Sequence, residues 1–127
     1  MAVSITNTLI TALNADQTLT QNAATSSVID APEVFTYTPT GKDHKVAIIF
    51  GNGSGHGAYT YSITAGAGVF GCAAQSGSIA AGALEVSQSE SGRYIQTAGT
   101  ILITLTPAFG KRLLTDHAAV VYVLELQ

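Results

Sequence analysis

The chain has 127 residues, a formal net charge of −3 and only 10% charged residues, where about 25% is usual for soluble domains. This length holds one domain, and five Lys and Arg in total exclude the clustered basic surface that nucleic acid requires. No apolar run approaches the ~18 residues of a membrane helix, and Met1–Thr6 carries neither the basic nor the apolar region of a secretory leader.

The single Cys72 cannot form an intrachain disulfide, and its small neighbours Gly71, Ala73 and Ala74 suggest a buried thiol. Low charge has two readings. One is a Ser/Thr-rich β surface. The other is a surface that packs against other subunits.

Residues 1–30 mix apolar Val3, Ile5, Leu9, Ile10 and Leu13 with Thr, Ser and Asn. The spacing of Ile5, Leu9, Ile10 and Leu13 fits a helix, but Ile5, Thr6, Thr8, Ile10 and Thr11 are β-branched and favour an extended arm or edge strand. Asn14-Ala15-Asp16 reads as a turn. This segment either crosses to a neighbouring subunit, with Ile5 and Leu9 as contacts, or remains a loose terminus.

In Val34–Thr38, Phe35 and Tyr37 share one face, the pattern of a half-buried strand. Thr38–Asp43 is a turn. Lys45–Thr64 is the clearest stretch: an apolar run Val46–Phe50, a tip with glycine at every second position from Gly51 to Gly57, then the alternating Ala58–Thr64. Its simplest form is a β-hairpin with a long surface tip at Asn52, Gly53, Ser54, Gly55 and His56. The glycines of 65–74 argue for a loop and short strand over a helix. Ser78–Ala80, Ala83–Ser87 and Tyr94–Gln96 are short strand pieces. In Ile101–Thr106, Ile101, Ile103 and Leu105 share a face, and Pro107 ends the strand or marks an edge.

The last strand, Ala118–Leu126, is apolar on both faces: Val120, Tyr122, Leu124 and Leu126 on one, Ala119, Val121 and Val123 on the other, with Glu125 its one charge. Such a strand is covered on both sides. Val121 and Val123 are therefore subunit-contact candidates, unless a loop or the N-terminal arm folds over them. An internal echo links Thr38-Pro39…Gly41-Lys42-Asp43-His44 to Thr106-Pro107…Gly110-Lys111…Asp116-His117, each leading into an apolar strand. Two such strand-turn-strand units suit a Greek key.

Catalytic patterns are weak. The glycine tip is neither G-x-G-x-x-G nor a phosphate loop, and a strand follows it where a helix would be needed. His44, His56 and His117 match no compact metal motif, so no metal or cofactor is expected. Ser-His-Asp chemistry lacks a G-x-S-x-G elbow, and Glu85 with Glu90 is a thin basis for a glycosidase pair. A carbohydrate-binding module is the better rival, with Tyr37, Tyr59, Tyr61 and Tyr94 as stacking candidates, though the chain has no Trp.

In Phe35–Ile49, the glycine-rich tip, Ala58–Ile63 and Thr100–Pro107, the chain resembles the small decoration (cement, or head auxiliary) proteins of tailed bacteriophage capsids, over roughly residues 30 to 127. The resemblance implies a jelly-roll-like sandwich and a homotrimer made in the host cytoplasm. Many copies would bind the major capsid protein on the outer surface of the virion and strengthen it against internal DNA pressure. It implies no catalysis and no cofactor. The expected architecture is an all-β, jelly-roll-like or Greek-key antiparallel sandwich over residues 31–127, with an N-terminal arm or edge strand over 1–30.

Overall fold

The computed structural model describes residues 2–10, 16–41, 44–53, 55–69 and 71–126. Among the described residues ten strands run in chain order: β1 (Ala2–Ser4), β2 (Thr8–Ile10), β3 (Asn22–Ala23), β4 (Glu33–Tyr37), β5 (Lys45–Asn52), β6 (Tyr59–Ile63), β7 (Gln75–Ile79), β8 (Leu84–Glu90), β9 (Ile101–Thr106) and β10 (Ala119–Leu126). They form an all-β sandwich of two packed sheets. The first has the order β1-β4-β9-β6-β7 and the second β2-β10-β5-β8, with β3 also paired to β10. Pairing is antiparallel except where β1 joins β4 and β2 joins β10.

Alternation builds the core. Phe35 and Tyr37 of β4, Tyr59 and Ile63 of β6, Ile79 of β7 and Ile101, Ile103 and Leu105 of β9 face Val46, Ile48 and Phe50 of β5 and Val121 and Val123 of β10, all essentially without exposed surface. Each such side chain contributes about 1.5–3 kcal/mol of burial. The accessible surface, 6676 Å², is close to the roughly 6,300 Å² expected for a folded monomer of this mass.

Lys45–Thr64 is not a hairpin. β5 lies in the second sheet and β6 in the first, so the glycine segment between them is an arch from one layer to the other. Both strands are apolar toward the same interior, and two sheets facing each other satisfy that where one hairpin cannot. Most later connections cross likewise; among β4–β10 only β6 and β7 are sequence neighbours in one sheet. Residues 71–74 carry no strand, and Tyr94–Gln96 follows a 3₁₀ turn (Ser91–Arg93) and is not a strand.

The described residues among the first thirty form three short strands and no helix. β1 and β2 sit on the edges of different sheets of their own chain. Asn22 fixes this segment: it accepts the Thr6 N–H (2.8 Å) and donates to the carbonyls of Thr6, Thr20 and Val121. Asn14 and Ala15 of the expected turn lie outside the described residues, as do Lys42 and Asp43 of the second. The internal echo has a spatial counterpart. β4 pairs with β9 and β5 with β10, both antiparallel, so the two Thr-Pro connections, β4 to β5 and β9 to β10, join the same two layers at opposite ends of the sandwich.

Candidate functional site

The two outer faces of the sandwich differ in chemistry. Register places Val34 and Thr36 of β4, Leu102, Thr104 and Thr106 of β9, Thr60 and Ser62 of β6 and Ser76 and Ser78 of β7 on the outside of the first sheet. That surface is mostly hydroxyl groups. The outside of the second sheet carries Val120, Tyr122, Leu124 and Leu126 of β10, Ala47 and Ile49 of β5, and Leu84 and Val86 of β8. The hydroxyl-rich surface of the first reading thus lies on one face, and the other face is largely aliphatic.

β8 is the unusual element. Leu84 and Val86 point out, together with Gln88 and Glu90, and Glu85, Ser87 and Ser89 point in. Leu84 is 71% and Val86 58% exposed, while Ser87 is buried and accepts a hydrogen bond from Gln75 Nε2 across the two sheets (2.7 Å). A half-covered strand normally shows the reverse. The inversion follows from register: Val86 pairs with Ile49 and Leu84 with Gly51, all on the outer side of the sheet. A Cβ at Gly51 would stand 2.7 Å from Val120 and 3.1 Å from Leu84. The glycine thus lets these two side chains meet over it. Tyr122, Ile49 and Val86 form the next row.

A second apolar surface lies on two loops zipped together by Asp30 N–H to the Lys111 carbonyl (3.0 Å), Gly110 N–H to Asp30 Oδ1 (2.5 Å) and Leu114 N–H to the Ser26 carbonyl (3.1 Å). Val28, Ile29, Phe109 and Leu114 are exposed there, Phe109 almost fully. Glu33 anchors this region from below. Its buried carboxylate accepts the Thr25 N–H and hydroxyl and the Ser26 N–H.

Two of the subunit-contact candidates expected from sequence are core residues. Val121 and Val123 are fully buried in their own chain, so they are core residues, and the open face of β10 is the one bearing Val120, Tyr122 and Leu124. Glu125, on the same side of β10 as Val121 and Val123, points inward into a polar pocket. Its carboxylate accepts hydrogen bonds from Tyr37 Oη (2.5 Å), Asn7 Nδ2 (2.9 Å) and the N–H groups of Thr40 and Gly41 (both 3.0 Å), and lies 2.7 Å from His44 Nδ1. Burial pushes this carboxyl up, but the hydrogen bonds from Tyr37, Thr40 and Gly41 outweigh it and hold it below the usual range. Burial and the same bond raise the Tyr37 hydroxyl.

Ile5 is partly buried against the core and Leu9 is half-buried on β2. At the glycine tip, Gly53, Gly55 and His56 are exposed and Ser54 lies outside the described residues. Asn52 is corrected: it is buried and clamps the arch, its Nδ2 donating to the carbonyls of Gly57 (2.8 Å) and Ile79 (3.1 Å). Cys72 is only half-buried.

The remaining chemical groupings are dispersed. Five residues apart on one strand, Glu85 and Glu90 project to opposite sides of β8. Asp116 accepts the Arg112 N–H in its own turn (2.7 Å). His117 is buried edge-on to Tyr59, and its Nε2 accepts the Ala108 N–H (3.1 Å). Among the described residues no group of three or more His, Cys, Asp or Glu is placed to hold a metal ion. Tyr37 and Tyr59 are fully buried, and Tyr61 stacks on Phe50 at 4.3 Å, which removes most of the proposed sugar platform. No helix of the described residues is long and apolar enough to cross a membrane.

Compared with protein-family models, curated proteins and solved structures, the chain matches none of them.

Proposed function

We propose that this chain is a self-associating structural protein that decorates a bacteriophage capsid, binding its outer surface in many copies. The observation that carries the reading is the outward turn of Leu84 and Val86 beside Val120, Tyr122 and Leu124. A continuous aliphatic face on an otherwise closed sandwich fits a surface covered by protein in the assembled state. The resemblance in sequence to decoration proteins supplies the partner. A coat protein needs contacts to its siblings and to the shell, and the chain has two separate apolar surfaces, the second-sheet face and the Val28–Phe109 loop cluster. Repetition on a lattice turns modest single contacts into tight attachment.

The test is co-sedimentation with undecorated phage heads. Wild-type protein should pellet with heads, and Leu124→Glu should remain in the supernatant while folding normally. Wild-type protein that never pellets with heads, or binding unaffected by charge on this face, refutes the reading.

A further inference from the structure

The open edge of β8 carries a sharper statement. β8 closes the second sheet on one side, and no strand of the described residues pairs with its far edge. The two hydrogen bonds that flank its ladder, Asn52 N–H to the Ala83 carbonyl (3.0 Å) and Ser91 N–H to the His44 carbonyl (2.9 Å), set the phase of the pairing. Ala83, Glu85, Ser87 and Ser89 turn their backbone groups toward β5. Leu84, Val86, Gln88 and Glu90 turn theirs to the open side.

Edge strands are usually blunted by shortness, proline, lysine or a bulge. β8 has seven residues with no proline and no lysine, and an unbroken one-to-one register with β5. The other edges are shorter: β1 and β2 have three residues each, and β7 has five with Gly77 in the middle.

We infer that β8 pairs antiparallel with β8 of a second copy of this chain, about a two-fold axis at Val86. The residues that this register opposes suit one another. With Val86 on the axis, Leu84 faces Gln88 of the other copy and Glu85 faces Ser87. Glu90 falls opposite Gly82, so no carboxylate meets a carboxylate. Moving the axis one residue back would oppose Glu85 to itself, which is unfavourable. The outward backbone groups of Leu84, Val86 and Gln88 form about six hydrogen bonds.

An axis perpendicular to the sheet keeps the same face of both copies on the same side. The sheet then runs β2-β10-β5-β8-β8-β5-β10-β2, and the two aliphatic faces fuse into one platform. This departs from the homotrimer that the sequence resemblance implies. It rests on the self-association in the proposed function but not on the capsid partner.

Light scattering after size exclusion should give a mass twice the chain's 13.0 kDa. Val86→Lys and Val86→Glu should each weaken the dimer by at least about tenfold, because like charges meet on the axis, and an equimolar mixture of the two should restore it. Val86→Cys in a Cys72→Ser background should cross-link to itself on mild oxidation, which keeps the test open if the charged variants fold poorly. A wild-type monomer or trimer, a dimer indifferent to Val86→Lys, or failure of the cysteine variant to cross-link overturns the inference. Head co-sedimentation of the same samples separates it from the capsid reading: a dimer that ignores heads keeps the strand pairing and loses the partner.

Discussion

Glu125 is a buried charge of the fold. A carboxylate without exposed surface is stable only when its oxygens are satisfied, and Tyr37, Asn7, Thr40, Gly41 and His44 supply the partners. Glu125→Ala leaves the Tyr37 hydroxyl and the Thr40 and Gly41 N–H groups without this acceptor, and should cost about 3–5 kcal/mol in denaturant unfolding. The folded pKa is lowered, so its stabilisation is present above the unfolded carboxylate range and is lost as pH falls below about 4. Glu125→Gln should flatten that acid limb. His117 acts in a different window. Burial, the largest effect, lowers its pKa against the pull of Asp116. The unfolded state then binds the proton more readily, so stability should decline as pH falls below about 6.5. Melting curves from pH 8 to 5 should show this slope in the wild type and not in His117→Gln.

At the scale of the element, strand pairing decides what a substitution does. Val121→Glu buries an uncompensated charge and should abolish folding, whereas Leu84→Glu, on an exposed face, should leave unfolding within about 0.5 kcal/mol of wild type. Circular dichroism on the two variants distinguishes the core side of the sandwich from its open side. Gly77→Ala on β7 should also destabilise, by about 1–3 kcal/mol, since a Cβ there would lie 2.7 Å from the Tyr61 ring that stacks on Phe50. Much of this was legible in the sequence. Period-two alternation located β4, β9 and β10, and the shared face of Ile101, Ile103 and Leu105 is the core face. What failed was long-range. Nothing local in Val46–Thr64 says whether two apolar strands pair or face each other across a core. Nothing local in Leu84–Glu90 says that its aliphatic side points outward. β10 is apolar on both sides, so its own residues do not say which side faces the core, and the groups that satisfy Glu125 inside lie up to 118 residues away in sequence. Only the pairing with β5 fixes the side, setting Tyr122 beside Ile49 on the outer face.

For the whole molecule, attachment through aliphatic side chains predicts little dependence on ionic strength. Co-sedimentation with heads should persist at about 1 M NaCl, where a contact built on exposed ion pairs would be screened away. The unlike chemistry of the two outer faces has a further consequence. A body with hydrocarbon on one broad side and hydroxyl groups on the other has a top and a bottom. Laid down on its greasy side it can lie only one way up, so every copy would show the same threonine and serine skin to the medium. A layer of such bodies would present water with a nearly neutral, hydrogen-bonding veneer, whose colloidal behaviour is set by hydration more than by charge.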